Sequence, residues 1–507
     1  MSTKTSRSNR RPSVRPPASG RPPSSALKPE DVNASAEELI AFHDLFQDCF
    51  PRREQRHWSL FYLCGQLSNL ARKTIEPMVL ALHGADSNAV RAAQRFITDS
   101  PWDQTRLQAH QHELIVQDLG EGDAVVIADG SGFPKQGASS VGVARQYCGH
   151  LGKVANCQEG VFLVYVSSRG NAFLDERLYL PAGWFTEAYR ARWKACRIPE
   201  TVRFQTEPQL ALAMIGDLVQ RAVIPFRWVT ADASYGKNLV FLEEIERLGK
   251  WALVEVPADT RVWLHTPPLE PPGRSRLGAP STPPRVARTA PRPREVRELI
   301  ARGLKLKWER RMIKEGSKGP LVAEFAFLRV TAVRDGLPGP RVWLMFQRTL
   351  GSKPKIKFYF SNAPTTCPSS EFVRVSGLRW PVETTLEEGK GEVGLDHNET
   401  RTWPGWHHHL SHAFLAQLFL IHLRVHWPRR AALTTAQARL LIAQAIEAEA
   451  FPLRNVLTLL HYRQRRNRAA YCSHRKRTLK RLRQLSKSRK TRNVVVISKR
   501  RSNFETS

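Results

Sequence analysis

The chain has 507 residues, of which 41% are hydrophobic and 24% charged, so it is too long for one small module and too apolar to be disordered. Its 78 Lys and Arg residues exceed its 46 Asp and Glu residues, and the net charge of +32 makes an extended polyanion the first partner to expect. The sequence has no apolar run of about 18 residues and no apolar segment near its start, which argues against membrane insertion and export. We therefore expect a cytoplasmic protein whose seven scattered cysteines are reduced.

The excess positive charge is concentrated in three segments. Residues 1–30 carry a net charge of +6, residues 266–294 carry +5, and residues 461–501 carry +17. Basic arms of this kind bind phosphate backbones without reading sequence, and the alternative is a solubilising tail. Six prolines among residues 1–30 predict a disordered arm, and nine among residues 266–294 predict an irregular loop.

Residues 31–115 predict a helical domain. Apolar residues recur at three- and four-residue spacing in AEELIAFHDLFQDCF, in HWSLFYLCGQLSNLARKTIEPMVLALHG and in SNAVRAAQRFITDS. Helical modules beside basic arms often bind DNA, but the same periodicity fits any helical bundle.

Strands and helices alternate after this domain. The apolar run DAVVIAD predicts a buried strand that ends at Asp129, followed by a tight turn. The run FRWVTADASYG predicts a second buried strand that ends at Asp232, and the strand WALVEV follows one helix later. This order is typical of α/β architecture, in which ligands bind at the carboxyl ends of strands. The alternative for either aspartate is a side chain that caps its own turn.

A third acid lies beyond several strand-like runs between residues 321 and 362. The segment RWPVETTLEEGKGEVG predicts a helix in which Glu383 and Lys390 share one face and Pro381 occupies the first turn. Glu387 lies on the same face and is the rival for the role of third acid. The alternative is a solvated charged helix.

Arg379, Glu383 and Lys390 have the spacing R-x3-E-x6-K. This spacing resembles the Y-x2-R-x3-E-x6-K signature of a group of DDE transposases of bacterial insertion sequences, with Ser376 at the Tyr position. The segments VVIADGSGFPKQGASSVGVARQYCG and WVTADASYG are also similar to those around the two aspartates of this family. The three motifs occur in the family's order within residues 125–423.

The resemblance implies an α/β fold of the ribonuclease-H-like type: a mixed sheet flanked by helices, a β-rich insertion before the last catalytic helix, and a helical N-terminal domain. It implies that Asp129, Asp232 and Glu383 are catalytic and bind two Mg²⁺ ions, with Mn²⁺ as the alternative ion. Arg379 and Lys390 would bind DNA phosphates near the scissile bond. The partners would be the double-stranded DNA of element ends and target, bound by a dimer at the nucleoid.

The implied function is a transposase that cleaves DNA at the ends of a mobile element and joins them to target DNA. Two alternatives stay open on the residues alone: a non-catalytic basic nucleic-acid-binding protein, and a metal-dependent endonuclease without strand transfer. His407, His408, His409 and His412 raise the question of zinc, but no Cys or acid with ligand spacing lies beside them, so ordinary helix residues or phosphate contacts are favoured. The sequence thus predicts six segments: a disordered basic arm (1–30), a helical DNA-binding domain (31–115), the ribonuclease-H-like catalytic core (116–262 and 363–427), the Pro/Arg-rich loop and β-rich insertion (263–362), a helical extension (428–460) and a basic C-terminal arm (461–507).

Overall fold

A mixed α/β fold, built on one large sheet with helices packed around it, is seen in the computed structural model. The structure describes residues 29–83, 87–270, 285–301, 303–316, 319–426, 433–447, 464 and 467–485. The N-terminal arm, the middle of the Pro/Arg-rich loop, most of the region 448–466 and the end of the C-terminal arm lie outside the described residues. Within the described part of the chain, no helix combines the length and apolar character needed to cross a bilayer.

The helices are α1 (Pro29–Asp44), α2 (Arg53–Leu67), α3 (Ile75–Leu82), α4 (Ser87–Thr98), α5 (Gln104–Leu119), α6 (Arg190–Ala195), α7 (Glu207–Arg221), α8 (Ala233–Gly236), α9 (Leu239–Arg247), α10 (Val296–Ala301), α11 (Ser369–Leu378), α12 (Trp380–Val393), α13 (Trp403–His426) and α14 (Thr435–Ile446). Residues 467–485 are also helical.

The strands are β1 (Val125–Pro134), β2 (Ala144–Cys148), β3 (Lys153–Val166), β4 (Asn171–Tyr179), β5 (Trp228–Ala231), β6 (Trp251–Val256), β7 (Arg261–Trp263), β8 (Leu269–Glu270), β9 (Arg285–Val286), β10 (Arg294–Glu295), β11 (Glu309–Gly316), β12 (Gly319–Arg334), β13 (Leu337–Thr349) and β14 (Ile356–Ser361). All except β8 and β9, which pair with each other, join one sheet of twelve strands.

The sheet has the strand order β10-β7-β12-β13-β14-β6-β5-β1-β3-β2, with β4 added to β3 and β11 added to β12. At its centre, β1, β5 and β6 run parallel to one another. The runs VVIA of β1 and WVTA of β5 are buried throughout, as expected for parallel strands covered on both faces. On the other side of β1, β3 and β4 follow in antiparallel order.

Strand β1 differs from its expected form, because it does not end at Asp129. It continues through Gly130, Ser131 and Gly132 to Pro134, since these residues pair with β3 down to Cys157. The parallel pairing with β5, in contrast, ends at Ala128. Asp129 is therefore the first residue of β1 beyond its parallel pairing with β5, and it still pairs with Phe162 of β3 on the opposite edge of the strand.

The strands that follow the Pro/Arg-rich segment extend the same sheet. Strand β14 pairs antiparallel with β6, and β13 and β12 continue outward from it. The hairpin formed by β11 and β12 bears the helix of residues 467–485, in which Tyr471 and Arg475 bind the Glu315 carboxylate at 2.8 and 3.1 Å.

One hydrophobic core connects the N-terminal helices with the sheet. Helix α13 lies at the centre of this contact and is buried from Gly405 to Ile421, which explains the near absence of charged residues along it. Its histidines are hydrogen-bonded to the N-terminal helices: His409 contacts the Tyr62 hydroxyl at 2.8 Å and His412 contacts the Ser59 hydroxyl at 3.1 Å. All seven cysteines are free thiols.

Candidate active site

Two neighbouring parallel strands bring Asp129 and Asp232 together. The register of β1 and β5 places Ala128 opposite Ala231, so the two aspartates occupy the next position on each strand. Asp232 also caps the N-terminus of α8, where one of its oxygens accepts hydrogen bonds from the Ser234 amide (2.8 Å) and hydroxyl (2.6 Å). The turn-capping alternative is therefore realised for Asp232, and the remaining carboxylate oxygen is left for other partners.

Helix α12 supplies the third acid of the sequence pattern. Pro381 lies in the first turn of this helix, as expected, and Glu383 follows in the same turn. The Arg379 guanidinium precedes the helix and approaches Glu383 Oε1 at 3.5 Å and Glu255 Oε2 at 3.9 Å. With 17% of its side chain exposed, Arg379 is held against the protein.

Asp129 is affected electrostatically by both of the other acids. Its pKa is raised to about 7, first by burial and then by the negative charge of Asp232, with a smaller contribution from Glu383. Arg379 opposes this effect and lowers the pKa of Asp129. Three acids and one arginine that span 255 positions of the sequence are therefore near enough to interact electrostatically around Asp129.

Glu387 belongs to a different environment. Its side chain is exposed, and its negative charge acts on Glu388, whose pKa is raised by burial and lowered by a hydrogen bond from Thr435. Glu383, in contrast, contacts Arg379 and its charge acts on Asp129. These interactions favour Glu383 over Glu387 as the partner of the two aspartates.

Lys390 lies on the same helix but faces β1. Its ammonium group donates to the Gly132 carbonyl at 3.1 Å and lies 5.0 Å from the centre of the Phe133 ring. Burial lowers the pKa of Lys390, and the negative charges of Asp396 and Glu159 oppose this shift. Ser376, at the Tyr position of the signature, donates its hydroxyl to the Val373 carbonyl of its own helix at 2.8 Å.

Two further carboxylates lie beside Asp129 and were not among the expected site residues. A Cβ atom at Gly130 would lie 3.2 Å from Glu159 Oε1 and 3.4 Å from Glu207 Oε2. The pKa of Glu159 is raised to about 8, first by burial and then by the charge of Glu207, with Asp129 contributing less. Glu159 is the single acid of β3, and Glu207 is the first residue of α7. Neither residue is part of a recognisable sequence motif, so the sequence alone does not assign them to the site.

A buried hydroxyl and a buried carboxylate oxygen complete this acidic region. Tyr235 is 1% exposed, and neither its hydroxyl nor Glu159 Oε2 has a hydrogen-bond partner among the described residues. The pKa of Tyr235 is raised by burial and by surrounding acids, Glu207 first among them. Such a concentration of negative charge and unpaired oxygens is costly unless cations or protons neutralise it.

The donor set suits a hard divalent cation. Every candidate ligand at this site is an oxygen, which is the donor type that Mg²⁺ and Mn²⁺ prefer. No choice of one oxygen from each of Asp129, Asp232 and Glu383 brings all three oxygens within 4.8 Å of one another. The three carboxylates therefore offer suitable ligand atoms but are spaced more widely than the ligands of a single bound ion.

The four histidines near the start of α13 have structural roles. His407 binds the Glu176 carboxylate, His408 binds the Ile97 carbonyl at 2.8 Å, and His409 and His412 bind the hydroxyls described above. Within the described part of the chain, none of these histidines belongs to a group of three His, Cys, Asp or Glu side chains spaced closely enough to share a metal ion. The favoured expectation of ordinary helix residues agrees with these contacts.

Comparison with known proteins identifies the family. The profile of the DDE superfamily endonucleases matches residues 45–320, which is more than half of the chain. The chain belongs to the DDE superfamily of endonucleases. This confirms the resemblance to the DDE transposases of bacterial insertion sequences drawn from the motifs.

Two individual proteins are similar to parts of the chain. A probable transposase for insertion sequence element IS701 from Microchaete diplosiphon is 32% identical over 174 residues, which cover 34% of this chain and 41% of that protein. The matched region thus spans less than half the length of this relative. A cryo-EM structure of a piggyBac transposase synaptic complex with hairpin DNA aligns with a TM-score of 0.33 and 9% identity over 90% of this chain and 82% of that one.

Proposed function

We propose that this protein is a transposase that cleaves DNA at the ends of a mobile element and joins those ends to target DNA. The observation that carries the proposal is that Asp129 and Asp232 follow neighbouring positions at the end of the parallel strand pair, with Glu383 and its partner Arg379 near enough for their charges to act on Asp129. Membership of the DDE superfamily supports the same reading.

The order of the central strands supports a ribonuclease-H-like core. Three antiparallel strands, β4, β3 and β1, are followed by β5 and β6, which run parallel to β1. In this core the first aspartate would come from the first strand, the second from the end of β5, and the glutamate from a helix that follows the extra strands.

In the proposed site, Asp129, Asp232 and Glu383 hold divalent cations, with Mg²⁺ as the expected ion and Mn²⁺ as the alternative. When bound, these cations supply activation of the attacking hydroxyl and stabilisation of the leaving oxygen in a phosphoryl transfer. The chain's own part is to hold the three carboxylates in place: the Ser234 amide and hydroxyl fix Asp232, and the strand pairing fixes Asp129.

Arg379 and Lys390 are proposed to bind DNA phosphates. Arg379 can exchange its contact with Glu383 for a phosphate, because its planar guanidinium suits either anion. Lys390 is already bound to a main-chain carbonyl, so its contribution to phosphate binding requires that this hydrogen bond be shared or released.

The path of the DNA is proposed to run along the β11–β12 hairpin. Lys314 of β11 is close enough to Glu383 for that charge to raise its pKa, against a larger lowering by burial. The next residue, Glu315, anchors the basic helix of residues 467–485. Both positive elements would therefore lie beside the proposed site of cleavage, where a dimer would hold a pair of element ends.

Incubation of the purified protein with DNA that carries the ends of its own element tests this proposal. With Mg²⁺ or Mn²⁺ present, we expect cleavage that exposes a 3′ hydroxyl at the element end, followed by covalent joining of that end to a second DNA. Cleavage without joining would favour the endonuclease alternative, and binding without cleavage would favour the non-catalytic basic protein. Ca²⁺ serves as the control ion that supports binding.

A further inference from the structure

A second group of polar side chains lies where α1, α5 and α13 meet. Asp118, near the end of α5, faces two histidines from the last two turns of α13. His422 Nδ1 lies 2.9 Å from one oxygen of Asp118, and His426 Nε2 lies 2.7 Å from the other. The three ligand atoms all lie within 4.8 Å of one another.

The spacing and burial of these residues fit a metal ion of the Zn²⁺ type. His422 and His426 are four residues apart and share one face of the helix, which is the spacing by which helical histidine pairs bind zinc. The Asp118 side chain is 0% exposed, whereas the His426 side chain is 45% exposed. A cation at this position would therefore have two imidazole nitrogens and a buried carboxylate on one side and an accessible coordination position on the other.

Glu38 of α1 provides the outer support that such sites require. Its Oε1 lies 3.4 Å from His422 Nε2, on the side of the ring opposite Asp118. When Nε2 carries the proton and donates it to Glu38, the Nδ1 lone pair points towards Asp118. A carboxylate behind a ligand histidine fixes the tautomer and the ring orientation in this way.

We propose that Asp118, His422 and His426 bind one transition-metal ion of the Zn²⁺ class, and that Glu38 orients His422. The bound ion joins the end of α13 to α5, and through Glu38 it also joins α1. Its function is to fasten the N-terminal helices to the long central helix. The mixture of imidazole nitrogen and carboxylate oxygen selects this class of ion over Mg²⁺.

A second group of side chains in the described part of the chain has its ligand atoms close together but is less suitable for binding a metal ion. It consists of Asp48, Cys49 and His110. The guanidinium of Arg106 already binds Asp48 at 2.5 Å, so a cation would meet a competing positive charge. Burial raises the pKa of Cys49, which keeps its thiol protonated and makes it a poor ligand.

The test uses Co²⁺ as a coloured substitute for Zn²⁺ and measures visible absorption with the full chain. A background that carries Asp129→Asn, Asp232→Asn and Glu383→Gln removes the proposed catalytic ligands, so the result does not depend on the proposed function. We expect one Co²⁺ per chain, displaced by one equivalent of Zn²⁺ and not by excess Mg²⁺. His426→Gln should weaken binding by at least about a hundredfold, and Glu38→Gln by about tenfold.

Two further variants keep the test decisive. Asp118→Asn retains an acceptor for the histidines while removing the anionic ligand, so the folded protein should lose Co²⁺ binding. His150→Gln changes an exposed histidine and should leave binding unchanged. The proposal would be overturned if the parent protein took up no Co²⁺, or if the His426→Gln and Asp118→Asn proteins took up as much as the parent. Asp118, His422 and His426 would then only join the helices through their hydrogen bonds. A thiolate-to-cobalt charge-transfer band would also overturn it, because the proposed site contains none of the seven free cysteines.

Discussion

Asp129 is the residue on which the chemistry of the proposed site depends most, because it is half-buried and the negative charges of two other acids act on it. Replacing it, Asp232 or Glu383 with the matching amide keeps the shape of the side chain and removes a negative charge. We expect each of Asp129→Asn, Asp232→Asn and Glu383→Gln to lower the rate of DNA cleavage by more than about a hundredfold, since ligands in contact with a metal matter more than their outer partners. Gel assays of cleavage, beside filter-binding assays of DNA affinity, measure the two effects separately.

Glu387→Gln is the matched control for this experiment, because Glu387 lies one helical turn from Glu383 and has an exposed side chain. It should retain cleavage close to that of the unchanged protein. Loss of cleavage in Glu387→Gln with retention in Glu383→Gln would show that Glu387, and not Glu383, is the third acid.

The raised pKa of Asp129 makes metal binding depend on pH. At about pH 6 the metal-free site holds a proton on Asp129, whose pKa is about 7, and on Glu159, whose pKa is about 8. A cation must displace the proton from Asp129, so the affinity for Mn²⁺ should rise with pH, by up to about tenfold per pH unit per displaced proton, and level off above about pH 8. Calorimetric titrations between about pH 6 and 8 measure this slope.

Asp129→Asn provides the control for the slope, because its amide has no proton to release. The variant should bind Mn²⁺ more weakly and with a flatter dependence on pH. If the unchanged protein binds Mn²⁺ equally well across this range, the proton on Asp129 is not coupled to the metal.

Helix α12 carries the proposed third acid, and its distance from the sheet depends on one glycine. A Cβ atom at Gly389 would lie 3.0 Å from Phe173 of β4 and 3.2 Å from Leu395, whereas one at Gly391 would meet nothing within 4 Å. Gly389→Ala should therefore push the helix outward, destabilise the fold by about 1 to 3 kcal/mol and slow cleavage by displacing Glu383. Thermal unfolding and cleavage assays test both consequences.

Gly391→Ala is the paired control on the same helix. Because alanine favours helical backbone more than glycine does, this variant should gain about 0.5 to 1 kcal/mol of stability and retain cleavage. Equal behaviour of the two variants would show that α12 does not rest on β4 at Gly389.

The main elements were predictable from the sequence because their patterns are local. The run WALVEV forms β6 with the expected bounds, and the segment RWPVETTLEEGKGEVG forms α12 with Pro381 in its first turn. The end of β1 was predicted wrongly, since its continuation beyond Asp129 depends on pairing with β3, which local residues do not reveal. Glu159 and Glu207 were missed for the same reason: only the folded sheet brings them beside Gly130.

The whole molecule should be sensitive to acid because its central helix contains neutral histidines. Burial lowers the pKa of His408 to about 4 and that of His409 and His412 to about 3, whereas an unfolded chain binds these protons near pH 6.5. Below about pH 6.5 the unfolded state therefore takes up more protons than the folded state, and stability falls with pH. Each histidine contributes a slope of about 1 kcal/mol per pH unit.

Melting temperatures measured between about pH 8 and pH 5 test this expectation. Asp129 and Glu159, whose pKa values are raised to about 7 and about 8, hold protons in the folded state and oppose this effect as the pH falls from 8. The net loss of stability should therefore be confined to pH values below about 6.5, where all the buried histidines take up protons on unfolding. His408→Gln should flatten the fall, and the exposed His150→Gln should leave it unchanged. A melting temperature that does not change down to pH 5 would mean that the buried histidines accept protons without unfolding.

The pairing of β6 with β14 has a consequence for synthesis of the protein. About 100 residues separate the end of β6 at Val256 from the start of β14 at Ile356, so the ribosome must make all of them before β14 can form. At about 5 to 20 residues per second, the apolar edge of β6 stays without its antiparallel neighbour for roughly 5 to 20 seconds. An uncovered edge of this kind can pair with other chains, so the nascent protein passes through an interval in which a chaperone or rapid completion of the chain decides between folding and aggregation.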